Sequence, residues 1–358
     1  MKLLNYQVVF AKPPGVNGAP AEDNFRYESC EYPADPPPGH VLVQNLYLSV
    51  DPAQRCQMNE STGAEYLLPW QLGQAIPGLG GVGKVLSSND DGFSTGDIVM
   101  SGFFEWPWKL YFTIEADKIM KVDERLVGKR LSLPISCLGL VGLTALFGIT
   151  ERSQLRSLPT DGSIRRTLVV SGAAGACGHI AGQIGRLEGA DRVVGICGSD
   201  TKCQFLTTQA GFDAAINYRS EDVSARLAEL CPDGVHSYFD NVGGPISDAV
   251  IAQMAPGGAV VLCGQISAYN TDAPYPPPLR PEVQRLVDER GIVRERFLVL
   301  EYQDRFADGV ARLARWLAAG AIKVFETEED GLENAGKAFC SMMSGGNIGK
   351  QIVKVSDA

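Results

Sequence analysis

Residues 168 to 185 read LVVSGAAGACGHIAGQIG and bring three kinds of chemistry together: glycines whose backbone can cradle a phosphate, a thiol at Cys177 and an imidazole at His179. Context separates them. A buried-type strand, TLVVS, comes first, Gly172 makes a turn, and HIAGQIGRL follows with small residues on one helical face. In such a strand–turn–helix unit the helix N-terminus offers free N–H groups and a partial positive charge to a pyrophosphate. Gly175 then lets backbone approach the phosphate, and Gly178 lets helix and sheet pack closely. Ala173 stands in the first glycine position of that motif, at little cost while its φ stays negative. A better-spelled GxGxxG occurs at Gly78, Gly80 and Gly83, but it runs into GKVLSS and then NDDGFSTGD, a strand followed by a loop. No helix opens there, so these glycines are expected in a hairpin or turn. Cys177 is expected to contribute its backbone and small volume, and His179 to be an ordinary first-turn residue.

The end of the second strand of such a unit selects the dinucleotide. NAD sites place an acid about 20 residues on, where it takes the ribose 2′-OH. Here that place holds Cys197, Gly198 and Ser199, followed by Asp200, Thr201 and Lys202. A small neutral turn with a lysine suits a 2′-phosphate, and Tyr218, ending AAINY, is placed to complete the pocket. Asp200 reads as a first-turn acid at a helix start. The expected cofactor is therefore NADPH rather than NADH.

The elements that must position these residues fall into two parts. KLLNYQVVF, HVLVQNLYLSV, GVGKVLSS, GDIVMSGFF and KLYFTIEA read as short strands divided by Pro- and Gly-rich loops. From about residue 167 strands and helices alternate: TLVVS, RVVGIC, AAINY, HSYFDNV, AVVLCG and RERFLVL are the strands. That alternation predicts an α/β domain, a parallel sheet with helices on both faces. The tail, GLENAGKAFCSMMSG then GKQIVKV, fits the β-rich part better than another βα unit. APYPPPLRP, residues 273 to 281, favours extended polyproline-type backbone.

A net charge of −10 and a pI near 5.0 argue against nucleic acid as a partner. The N-terminus lacks the apolar run of a signal peptide, and no stretch of about 18 apolar residues is expected to span a membrane. Nine cysteines without a CxxC pair suit reduced thiols in cytosol. Three histidines, His40, His179 and His236, stand outside any metal-ligand spacing, so no metal is expected.

Taken together, YLSVDPAQRCQMNE, PWQLGQ, VVSGAAGACG, VVGICGS, AGFDAAINY, YFDNVGG, CGQISAYN, YPPPL, RERFLVL and GGNIGKQIV span nearly the whole chain. They resemble the zinc-independent medium-chain dehydrogenase/reductases, and within them the leukotriene B4 dehydrogenase/prostaglandin reductase branch. The resemblance implies a GroES-like β-rich catalytic domain, residues 1–132 completed by 322–358, around a doubly wound Rossmann domain at 133–321. It implies reduction by NADPH of the double bond conjugated to a ketone, in a lipid enone such as a 15-oxo-prostaglandin. An NADPH quinone reductase or general alkenal/enone reductase on the same scaffold, or a non-enzymatic NADPH-binding protein, are the alternatives, and either a monomer or a homodimer is open. RERFLVL is either a sheet-edge strand that pairs with a second subunit or one covered within its own chain.

By the same resemblance Gly175, Ala176, Cys177 and Gly178 hold pyrophosphate, while Lys202 and Tyr218 serve the adenosine phosphate. Asn241, the run Cys263, Gly264, Gln265, Ile266, Ser267, Ala268 and Tyr269, then Phe297, Leu298, Val299 and Asn347 line ribose and nicotinamide. Phe103 and Phe104, in SGFFEWPW, are the substrate-contacting aromatic pair. Tyr269 is the catalytic candidate. Without zinc, a phenol, a cofactor hydroxyl or a backbone N–H must meet the carbonyl oxygen, and Tyr269 lies past the C-terminal end of a sheet strand, where such folds bind ligands. Trp70, Trp106 and Trp108 are expected in the core; Met58 and Tyr66 are wall candidates, and Arg55 is the candidate for a substrate carboxylate.

Overall fold

The computed structural model describes residues 4–63, 66–102 and 105–358. They form two compact units: Met1–Ser136 with Tyr269–Asp272 and Glu326–Ala358, and Cys137–Ala268 with Ala273–Phe325.

The second unit is built on six parallel strands. Thr167–Ser171, Arg192–Cys197, Ala214–Asn217, Val235–Asp240, Met254–Leu262 and Val293–Arg296 lie in the spatial order 3-2-1-4-5-6. This is the doubly wound order, in which the connections reverse between the first and fourth strands and leave a crevice at their C-terminal ends. Thr167–Ser171 and Val235–Asp240 are buried along their whole length, as central strands covered on both faces must be. The helices begin where local chemistry allows. Ser199 accepts from the Lys202 N–H to cap Asp200–Thr208, and Asp222 accepts from Ala225 N–H to cap Val223–Leu230. Gly291, at φ +61°, ends Pro281–Arg290.

Two sequence expectations are corrected. RERFLVL is strand only as far as Arg296, because its neighbour ends at Leu262, whose carbonyl takes the last bond from Phe297 N–H. Beyond it Val299–Arg305 coils into a 3-10 helix, with Phe297 and Val299 turned into the core. Leu133–Ser157 is a helical stretch long and apolar enough to cross a membrane by length and composition, which the sequence reading did not anticipate; 78% of its apolar window is buried inside the fold.

In the first unit, His40–Ser49 is the central strand. It pairs antiparallel with Gly81–Ser88, Tyr111–Glu115 and the terminal strand Lys350–Lys354, which in turn pairs parallel with Glu326–Asp330. The better-spelled glycine motif lies here, at the start of Gly81–Ser88, and no helix follows it. Its glycines serve packing: a Cβ on Gly81 would stand 2.0 Å from the Trp106 indole nitrogen, and one on Gly83 would stand 2.7 Å from Gln44 O. Trp70, Trp106 and Trp108 are core residues, joined there by Met58, Phe10 and Phe339. Met58 is thus interior packing rather than wall, whereas Tyr66 is exposed.

Candidate active site

The turn after Thr167–Ser171 is shaped by Gly172 at φ +58°. Ala173, in the first glycine position, is fully buried and donates its N–H to Ile196 O at 3.1 Å. Gly175 is the N-cap of the helix Ala176–Leu187 and offers no side chain, so no side-chain cap satisfies the first turn. The N–H groups of such a turn are left for an anion. Close packing is enforced at Gly178, where a Cβ would lie 2.4 Å from Gly172 O and 2.8 Å from Ala173 Cα. A dinucleotide pyrophosphate fits this cradle because only backbone lines it.

His179 differs from the sequence expectation. It is fully buried, its Nδ1 lies 2.7 Å from Gly175 O, and its Nε2 accepts from the Phe325 N–H at 3.3 Å. Since the Phe325 amide must donate, Nδ1 carries the proton. The imidazole therefore anchors the carbonyl of the N-cap residue, and its distance from Gly175, four positions, was the legible signal. Cys177 directs its thiol to Val141 O at 3.7 Å and hydrogen-bonds Cys263; that bond, with burial, pushes the Cys263 thiol well above the ordinary range.

Asp240 organises the other side of the crevice, and sequence reasoning passed over it. Wholly buried at the end of the fourth strand, its Oδ1 accepts from Val242 N–H at 3.0 Å, Gly243 N–H at 2.9 Å, Tyr238 O–H at 2.8 Å and Ser171 O–H at 3.1 Å. Its Oδ2 takes the Ser247 hydroxyl at 2.7 Å. The loop so fixed carries Asn241, which donates to Ser171 O at 2.8 Å. Against that loop the run after Met254–Leu262 is laid down: Gly264 N–H on Asp240 O, Ile266 N–H on Asn241 O, Ser267 N–H on Val242 O. Gly243 at φ +73° leaves room for Gln265, whose side chain a Cβ would meet at 2.9 Å. Gly175–Gly178, Asn241 and Cys263–Ala268 thus converge at the C-terminal ends of the first, fourth and fifth strands.

A second cluster lies beside the second and third strands. Lys202 is half-buried, and burial holds its ammonium below the ordinary lysine range, with the nearby Arg219 charge acting in the same direction. Arg219 lies over the Tyr218 ring at 5.9 Å. A Cβ on Gly198 would touch the Tyr218 hydroxyl at 2.9 Å. Asp200, the one nearby acid in the second turn, accepts from the Asn217 amide at 2.7 Å. Two cations and a phenol around a glycine turn suit a phosphate, and Arg219 is a member that the sequence reading missed for want of a motif.

The other named residues are placed differently. Phe297 and Val299 are core residues, while Leu298 is half-buried in extended backbone. Asn347, buried and bonded to Gly349 O at 2.7 Å, and Tyr269 belong to the first unit. Phe103 and Phe104 lie outside the described residues. Arg55 is fully buried and its N–H groups meet carbonyl and amide oxygens of its own unit, so it is not placed to receive a substrate carboxylate.

Two family models match: one described as the N-terminal domain of oxidoreductase, over residues 7–122, and one as zinc-binding dehydrogenase, over 176–292. "Putative NADP-dependent oxidoreductase YfmJ" of Bacillus subtilis is 40% identical over 358 residues, 100% of this chain and 99% of its own. The chain is a zinc-independent medium-chain dehydrogenase/reductase. Relatives within that family include the NADPH-dependent curcumin reductase of Escherichia coli, 33% identical over 99% of this chain and 98% of its own. Prostaglandin reductase 1 of Rattus norvegicus is 34% identical over 94% of this chain and 95% of its own. Among solved structures, CurA from Vibrio vulnificus in complex with NADPH aligns with a TM-score of 0.86 at 33% identity, covering 99% of this chain and 100% of that one. Among the described residues no group of three or more His, Cys, Asp or Glu is arranged to hold a metal ion.

Proposed function

We propose that this oxidoreductase uses NADPH to reduce the carbon–carbon double bond of an enone, with 15-oxo-prostaglandins as the substrate class and the specificity of a prostaglandin reductase 2. The observation that carries the cofactor choice is the cation pair Lys202 and Arg219 beside Tyr218, with Asp200 already engaged by Asn217. An acid free to take a ribose 2′-OH would select NAD; cations select the 2′-phosphate.

In this reading the N–H groups of Ala176, Cys177 and Gly178 hold the pyrophosphate. Asn241, Leu298 and the backbone of Cys263–Ala268 hold ribose and nicotinamide. When bound, NADPH would supply a hydride to the β-carbon, and a proton from solvent at the α-carbon would complete the reduction. Tyr269 donates its O–H to the carbonyl oxygen on which negative charge develops; a positioned donor of this kind contributes about 2.7–4 kcal/mol in a dry site. Phe103 and Phe104 present aromatic surface to the apolar substrate.

The experiment is NADPH oxidation against a 15-oxo-prostaglandin, a short alkenal and a quinone, with products identified. Saturated ketone from the first, with negligible quinone turnover, is expected. Turnover of the quinone alone would overturn the reading, and alkenal turnover far above the prostaglandin's would overturn its substrate class.

A further inference from the structure

Tyr269 heads a four-residue excursion, Tyr269–Asp272, that the chain contributes to the first unit. Two side chains of that unit grip it. Arg55, on the short helix Gln54–Gln57, donates from Nε to Asn270 Oδ1 at 3.0 Å. Its Nη2 donates to Gly15 O at 2.9 Å and Gly18 O at 2.8 Å, and its Nη1 to Asn59 Oδ1 at 2.9 Å. The loop gathered in this way carries Asn17, whose Oδ1 accepts from the Asp272 N–H at 3.0 Å. One buried guanidinium therefore holds the excursion near its head directly, and near its end through the loop it shapes.

We propose that Arg55 is a positioning residue for Tyr269, acting through Asn270 and, with Asn17, clasping Tyr269–Asp272 so that the phenol is held in one direction. The inference rests on the reading of Tyr269 as the donor to the carbonyl oxygen. The physical case is one of geometry. A planar guanidinium presents several donors in a fixed fork, which a lysine cannot reproduce. Left without these acceptors its buried charge would be unsatisfied and strongly destabilising, so the acceptors and the charge hold one another in place. Asn270 adjoins Tyr269 in the chain, and a displacement of about 1 Å in a reacting geometry can lower a rate by about 100-fold.

Asn270→Ala removes the direct grip while leaving Arg55 its carbonyl acceptors, and Asn17→Ala removes the second grip at an exposed position. Each is measured in the full chain, alone and combined with Tyr269→Phe, by enone turnover, NADPH affinity and amide exchange of the protein without cofactor. Asn270→Ala should lower kcat about tenfold, less than about twofold on top of Tyr269→Phe, with NADPH affinity within about twofold of the parent. Exchange over residues 269–272 should quicken in both single variants. An equal loss of turnover in the two backgrounds, or unchanged exchange, overturns the clasp. Full turnover by Tyr269→Phe would instead overturn the tyrosine reading itself, and the clasp with it.

Discussion

Asp240→Ala tests how the crevice is held. The carboxylate is wholly buried and accepts five hydrogen bonds, two from N–H groups of Val242 and Gly243 that the turn fixes in place. Removing it leaves the three hydroxyls room to adapt: Tyr238 Oη already stands 2.9 Å from Ser171 Oγ, and the two can pair. The two amides cannot turn away. Each donor without a partner costs about 1–3 kcal/mol, so roughly 2–6 kcal/mol should be lost from the two amides. A further contribution comes from Arg294, a half-buried guanidinium whose charge Asp240 favours and whose own pKa burial depresses. Against a total of about 5–15 kcal/mol this is a large fraction. For a domain of this size it corresponds to a melting temperature lower by roughly 4–24 °C. Asp240→Asn keeps one carbonyl acceptor for the amides and can donate to Ser247, so it should lose about half as much. Thermal unfolding of the full chain, with NADPH affinity from fluorescence titration, measures both. An alanine variant within about 1 kcal/mol of the parent, or an asparagine variant as unstable as alanine, would refute the account of Asp240 as the fixed point of this loop.

Gly178→Ala should weaken NADPH binding by roughly 10- to 100-fold, because its Cβ meets backbone at 2.4 Å and overpacking of this kind costs about 1–3 kcal/mol; wild-type affinity in a folded variant would remove the close-packing argument. Lys202→Ala and Arg219→Ala should each lower NADPH affinity about tenfold and leave NADH affinity unchanged, as expected for loss of a cation at a phosphate. Since burial depresses the Lys202 pKa, its charge is lost at lower pH than that of an exposed lysine. The NADPH-over-NADH preference should therefore narrow as pH rises into the alkaline range, and a ratio flat with pH would count against Lys202. His179→Phe strands the Phe325 N–H, at about 1–3 kcal/mol for a donor left unpaired, and leaves Gly175 O only the backbone N–H of residue 179; an unchanged melting temperature would contradict that assignment.

Much of the chain was legible because its signals are local. Strand and helix alternation from residue 167, the turn at Gly172 and the helix after Gly175 all follow from periodicity and glycine geometry within a few residues. The same locality excluded the glycines at 78–83 as a phosphate loop, which needs a helix after it; their packing role came from the structure. Where local signals stop, distant parts of the chain decide the structure. RERFLVL has strand composition to its last residue, yet its pairing ends where the neighbouring strand ends, a boundary set by another part of the chain. Arg55 looked like a cation for a carboxylate; burial, and carbonyls from residues 15 and 18, make it internal structure.

The sequence by itself determined the alternating α/β domain, the backbone cradle and the neutral second turn, because each is written in consecutive residues with a fixed period or a fixed φ. Only the tertiary structure decided that His179 anchors the cradle, that Asp240 fixes the facing loop, that Arg219 joins Lys202, and that Arg55 grips the tyrosine segment. Those contacts join residues brought together by sheet order and burial. A buried polar side chain finds its partner through the fold, and its position in the chain does not announce which partner that is.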